Sequence, residues 1–271
     1  MLNKKNIKNL ILNDINIPLV LLEDEVNFEN IDTDFSNEYR YLTDSARKFV
    51  ENNFIEECRK DIRLFNGDLY GIVNIDIYDN RISLTYEKTE YKYYLATKNP
   101  NYKKFIAEGN YFTTAIGTIH IIKTSDNKLF MGCKNNNKLG YKFTGGFVDN
   151  NDVQNEKLDL LHCAVRETNE ELGNVPFISS KLIGVVKINT LTFTIFSETT
   201  LTSEDITNLY NKNKDKLRDS YEMDNMIFID NNPKAIGNVM KQPDLLTKNS
   251  LESCKLYLKS EFSNYEYMEI K

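Results

Sequence analysis

Tryptophan is absent from this chain, histidine occurs only twice, and proline only five times. Each shortage narrows the possible chemistry. With His120 and His162 as the only imidazoles, a zinc centre lacks its usual ligands. A hydrolase built on a Ser-His or Cys-His pair is equally ill supplied. The four cysteines, Cys58, Cys133, Cys163 and Cys254, form no CxxC pair, which predicts free thiols in a reducing, cytoplasmic setting. No apolar run approaches the ~20 residues of a membrane-spanning helix, so no membrane partner is expected. In the opening residues Asn13, Asp14 and Asn16 interrupt the apolar stretch, and no signal peptide is predicted. Cations are in deficit as well. Lys and Arg number 34 against 40 Asp and Glu, a formal charge of -6, which disfavours a broad nucleic-acid coat and leaves room only for a local basic channel.

Carboxylates are the well-stocked resource. The 271 residues, 41% hydrophobic and 27% charged, suffice for two domains or one enlarged one, without disulfides or a structural metal. The first 112 residues read as a small α+β region. In it, Ala46, Phe49, Val50, Phe54 and Cys58 recur at helical spacing behind a Thr43 cap. LYGIVNIDIY and RISLTY read as strands joined at Asp79-Asn80. Beyond it, residues 113–271 alternate strands and helices. Ile116–Ile122 and KLFMGCK are strands about an Asp126-Asn127 turn, and a helix spans Leu158–Leu172. LIGVVKI and LTFTIF form a hairpin, NMIFID is a further strand, and helices lie near Ser203–Leu217 and Leu251–Lys259. Strands on both sides of a central acid-rich helix predict a mixed α/β layer.

That helix carries the chemistry. Glu167, Glu170 and Glu171 stand at i, i+3 and i+4, so their carboxylates share neighbouring turns. Like charges so placed cost about 0.2–0.5 kcal/mol per pair, and the helix dipole disfavours anions near its C-terminus. A hard divalent cation offsets both, and Mg²⁺ or Mn²⁺ prefers oxygen ligands. Gly173 supplies a helix stop, and Gly145-Gly146 a turn allowing close approach. The plainer alternative is a solvated acidic surface.

The segment resembles the Nudix box, which opens with glycine and ends in REUxEExGU, U being aliphatic. Arg166, Glu167, Glu170, Glu171 and Gly173 fall on its positions, and Gly146 resembles its opening glycine. The resemblance spans roughly residues 113–235. It implies an α/β/α sandwich with a mixed sheet, preceded here by the smaller α+β part, and hydrolysis of a nucleoside diphosphate linked to another moiety. It also implies metal held by Glu167, Glu170 and Glu171, and Arg166 bracing the carboxylates. The family places its arginine fourteen positions after the opening glycine; from Gly146 to Arg166 the step is twenty, which implies an inserted loop. Counting eight back from Arg166 reaches Leu158 where the family has Glu, with Glu156 nearby. Thr168 and Asn174 replace aliphatic positions.

The family often adds a carboxylate from outside the box, as ligand or general base. Glu222 is the foremost candidate here, with Asp224 and Glu198 competing. His162 reads as a packing or surface residue, and Cys163 as unreactive. The arrangement upstream of the box is similar to the Nudix subgroup that cleaves UDP-sugars, whereas the helix is similar to enzymes acting on coenzyme A or dinucleotides. A viral-type mRNA-decapping enzyme is a third resemblance, with Lys and Tyr between Tyr91 and Lys104 as a local RNA surface. A nucleotide sugar is favoured over RNA. A catalytically degenerate nucleotide-binding or interaction module is the alternative from another class.

Overall fold

The computed structural model describes residues 20–37, 42–78, 81–133, 140–242 and 244–262. The expected Asp79-Asn80 turn and the first residues lie outside these. Eleven strands are described: β1 (Val20–Val26), β2 (Ile31–Phe35), β3 (Asp68–Tyr78), β4 (Arg81–Glu90), β5 (Thr114–Lys123), β6 (Lys128–Cys133), β7 (Val153–Gln154), β8 (Lys157–Leu158), β9 (Phe177–Lys187), β10 (Leu191–Thr199) and β11 (Asn225–Asp230). The helices are α1 (Asp44–Lys60), α2 (Tyr91–Thr97), α3 (Tyr102–Ala107), α4 (Leu160–Leu172), α5 (Ser203–Asn213), α6 (Pro233–Met240) and α7 (Lys248–Glu261).

One mixed sheet runs β1-β9-β10-β5-β3-β4-β2, with β6 joined to β5 and to β11. β10 lies parallel to β5, from Leu191 beside Ile116 to Glu198 beside Lys123. β5 is buried along almost its whole length and divides its side chains by the two-residue period of a strand. Ile116, Thr118, His120 and Ile122 share one face, where Thr118 meets Cys163 and His120 meets Thr168 of α4. Ile119 and Ile121 share the other, in a core with Ile236 and Met240 of α6 and Cys254 and Tyr257 of α7. The result is the expected α/β/α sandwich, with α4 covering one face of the sheet and α6 and α7 the other.

The sheet runs across the boundary expected near residue 112. β3 pairs with β5 through Gly71–Ala115 and Ile72–Thr114. The core under α4 draws Ile72, Ile75, Ile82, Leu84 and Tyr86 from one side and Ile116, Val148, Leu160 and Ala164 from the other. The N-terminal part also has its own small core, in which Ala46 and Val50 of α1 pack with Ala96, Phe105 and Phe112.

Between its pairings with β3 and β6, the edge of β5 is completed by the segment carrying the paired glycines. Thr118 and His120 donate to the carbonyls of Gly146 and Thr144 (2.9 and 2.8 Å), and Val148 donates to Ile116 (3.1 Å). On its other side Lys142 exchanges both backbone bonds with Gly132 of β6 (2.8 and 2.9 Å). Residues 142–148 are thus fixed as an irregular strand beside the helix that carries the acids.

Candidate active site

α4 begins two residues later than the periodicity predicts. Leu158 belongs to a two-stranded hairpin, β7-β8, and Asp159 caps the helix by accepting from the His162 amide at 2.8 Å. At the hairpin turn Asn155 and Glu156 both have positive φ, 51° and 59°, as two-residue hairpin loops prefer. This hairpin lies between Gly146 and Arg166, in the stretch expected to carry an insertion. It docks on the N-terminal part, where Leu158 donates its amide to Thr33 (3.0 Å) and the Tyr86 hydroxyl donates to the Glu156 carbonyl (2.8 Å). Glu156 is exposed in the turn and Leu158 is buried.

The acid that meets Arg166 from across this stretch is Asp152. It is fully buried and holds Arg166 in a fork, with Nε to Oδ1 at 3.0 Å and Nη2 to Oδ2 at 2.7 Å. The spacing already in hand contains the signal: an arginine fourteen after the glycine and an acid eight before it put the acid six after the glycine, and six after Gly146 is Asp152. Counting back across the insertion missed it. His162 has a partner too, its Nδ1 lying 3.1 Å from Asp152 Oδ1.

Arg166 distributes the rest of its donors over the site. Nη2 also donates to the Phe147 carbonyl (3.0 Å), while Nη1 lies 2.8 Å from Glu167 and 3.3 Å from Glu170. Burial works against the guanidinium charge, and the hydrogen bonds to Asp152 and the nearby anions outweigh it, so Arg166 stays above its ordinary value. The three glutamates diverge from this hub. Glu167 lies against the glycine turn so closely that a methyl group on Gly146 would come within 2.4 Å of its carboxylate. Glu171, 2% exposed, reaches Lys142 Nζ at 2.7 Å with one oxygen and accepts from the Gly145 amide at 3.3 Å with the other. Glu170 turns aside, toward Arg218 (3.4 Å) and a shallow depression of about 370 Å³ also lined by His162, Arg166 and Lys216. Gly145 has φ +136°, and a Cβ there would meet the Thr118 carbonyl at 2.2 Å. Only glycine allows this approach.

Of the carboxylates outside the box, Glu222 joins the cluster by bonding to Lys142 across from Glu171. Asp224 instead accepts from the Tyr210 hydroxyl at 3.1 Å, and Glu198 pairs with Lys123 at the end of β10. The Tyr-rich segment contributes to the rim: the Tyr94 ring packs edge-on against Phe147 at 4.7 Å, one residue from Gly146.

Cys163 is buried against Thr118, and burial pushes its thiol well above the ordinary range, so it is unreactive. The substitution at Thr168 has its own logic. Thr168 is buried and donates to the Ala164 carbonyl (2.8 Å), so across their 2.9 Å contact it accepts from the Thr144 hydroxyl. With the Thr168 proton used, His120 Nδ1 donates to Thr168 (2.9 Å) and Nε2 accepts from Ser197 (2.7 Å). A neutral imidazole satisfies every member, and burial lowers its pKa to about 4. A polar network therefore replaces an aliphatic contact beneath the helix.

The donor set suits a hard divalent cation in its chemistry. Asp152, Glu167, Glu170, Glu171 and Glu222 face Arg166, Arg218 and Lys142, and Asp149 and Asp219 lie 3.9 and 3.7 Å from the same two arginines, so carboxylates outnumber cations here. Burial pushes Glu167 up to about 7 against the pull of Arg166, and Glu171 up to about 8 against Lys142. As the side chains stand, however, no three His, Cys, Asp or Glu groups converge as a metal cage among the described residues. The ammonium of Lys142 lies where Glu171 and Glu222 meet.

No protein-family model and no curated protein matches the sequence. Solved structures similar to the chain include a Nudix hydrolase from Nitrosomonas europaea, 13% identical, covering 59% of this chain and 100% of its own at a TM-score of 0.38. The Nudix domain of Shewanella oneidensis NrtR, solved with ADP-ribose, is 12% identical over 62% of this chain and 96% of its own, with a TM-score of 0.37. MutT protein from Methanosarcina mazei Go1 is 12% identical over 55% of this chain and 96% of its own, with a TM-score of 0.34. These are likenesses of distant chains.

Proposed function

We propose that this protein is a Nudix-type pyrophosphohydrolase. In this reading it uses Mg²⁺ or Mn²⁺ to cleave the diphosphate of a nucleoside diphosphate derivative, a nucleotide sugar foremost. The observation that carries the reading is the pair Glu167 and Glu171, two carboxylates sunk beside the Gly145-Gly146 turn with pKa values raised by burial. Charged groups in such a position are costly unless a partner is present. When bound, the divalent cation would neutralise phosphoryl oxygens and lower the pKa of a water. Glu167 and Glu171 would hold it, with Glu170 oriented by Arg166 and Glu222 as the added ligand or general base. Arg166, saturated by Asp152, Phe147 and the glutamates, positions these groups.

A panel of nucleotide sugars, ADP-ribose, dinucleotides and capped RNA, each with and without Mg²⁺ or Mn²⁺, tests the reading. Metal-dependent release of two phosphate-containing products from a small substrate supports it. Turnover confined to capped RNA would move the substrate class. A second reading, a nucleotide-binding module without turnover, is favoured by the lysine already paired with Glu171. Nucleotide binding by pure protein, with no product across the panel, would establish that alternative.

A further inference from the structure

We propose that Lys142 is a built-in counter-cation, and that a divalent metal reaches Glu171 only by displacing its ammonium. The inference rests on the metal-dependent reading above and adds a residue that the sequence analysis did not single out.

Lys142 is placed with little freedom. Its backbone exchanges two hydrogen bonds with Gly132, while Tyr141 beside it donates to the Leu245 carbonyl (2.7 Å) and accepts from the Thr247 amide (2.9 Å). The side chain leaves this anchored segment and ends between two carboxylates that lie far apart in the chain. One is Glu171 on the last turn of α4, at 2.7 Å; the other is Glu222 in the single turn Ser220–Met223. Both acceptors lie at one ammonium, so the lysine fastens that turn to the helix.

A metal ion and this ammonium compete for one volume. A small divalent ion needs carboxylate oxygens at about 2.0–2.1 Å, and at Glu171 one oxygen is held by the lysine. The other oxygen is taken by the Gly145 amide. A divalent charge brought to the same oxygen would also stand within a few ångströms of a monovalent one, an arrangement that Coulomb repulsion opposes in a half-buried setting. Lysine suits the role of a removable cation, because its four-carbon stem can swing the charge away while its backbone stays fixed. Its departure removes the ammonium that links Glu222 to Glu171.

Two measurements on the full chain test this without reference to turnover. Titration of Mn²⁺ into metal-free wild type and Lys142→Met is expected to show at least about tenfold tighter binding in the variant, with Lys142→Arg close to wild type. Equal affinities for wild type and K142M, or no Mn²⁺ binding by K142M, would overturn the proposal. Should K142M fold poorly, acetylation of wild-type lysines read by mass spectrometry decides the matter. Lys142 is expected to be protected in chelator and to become reactive with Mn²⁺; unchanged reactivity sinks the idea. The two readings can fail separately. Tighter Mn²⁺ binding by K142M with no turnover on any substrate would keep this inference and remove the hydrolase, and turnover with equal affinities would do the reverse.

Discussion

Glu171 occupies the buried stripe of α4 with Leu160, Cys163, Ala164, Thr168 and Leu172, a place where an acid is retained at a cost in stability. Glu171→Gln keeps the shape and removes the charge. It is expected to leave the fold intact and to lower metal-dependent turnover by about 100- to 1,000-fold. This corresponds to a loss of roughly 3–4 kcal/mol of metal-borne stabilisation. Glu170→Gln should also remove turnover, and wild-type rates in both variants would dismiss the assignment. Asp152 predicts the opposite pattern. It is the buried half of a forked ion pair, and removing one partner of such a pair typically costs about 3–5 kcal/mol. Asp152→Ala should therefore lower the unfolding free energy by about 3 kcal/mol in denaturant titrations.

The elements around the helix set where these side chains point. The 142–148 segment is held by β5 on one side and β6 on the other, and Gly146 gives Glu167 its seat. In Gly146→Ala the added methyl meets only the end of a flexible side chain. Stability should change by less than about 1 kcal/mol, while displacement of Glu167 weakens Mn²⁺ binding, a contrast read by calorimetry and metal titration. Under the helix, His120 is kept neutral. Its folded pKa, about 4, lies below the ordinary value of 6.5, so the unfolded chain binds more protons between these values. The stability that this network supplies is full above about pH 6.5 and is lost as pH falls toward 4. The advantage of wild type over His120→Gln should accordingly shrink between pH 7 and 5, by at most about 1.4 kcal/mol per unit. A constant difference in melting curves would show that the imidazole is not held neutral.

At the scale of the molecule, the N-terminal part completes the sheet and holds the inserted hairpin through Thr33 and Tyr86. Ile116, Val148, Leu158 and Leu160 are covered together with Ile72, Ile82 and Leu84. A fragment of residues 113–271 would expose that face, and large apolar patches of this kind promote association. The fragment is expected to aggregate or to lack a cooperative transition, and the full chain to melt in one step by calorimetry. A soluble fragment with its own sharp transition would instead support an autonomous C-terminal domain.

Much of this was legible in residue order because the signals are local. The apolar strand at β5, the 3.6-residue period of α4 and its stop at Gly173 depend on neighbours in sequence, and the structure has them, whereas the acids at 167, 170 and 171 share one helix end but diverge. The short helices at Tyr91–Thr97 and Tyr102–Ala107 were hidden in a polar, Tyr-rich run without a clear period, and β7-β8 is too short to show one. Tertiary structure decided which acids and cations meet from far apart in the chain. Asp152 reaches Arg166 across an insertion that a hairpin folds out of the way. Glu222 and Lys142 come to Glu171 from 51 and 29 positions away, because β6 and the 220–223 turn pack beside the end of α4. Charge pairing at such separations is set by the packing of the sheet and its helices, and no local pattern of residues records it.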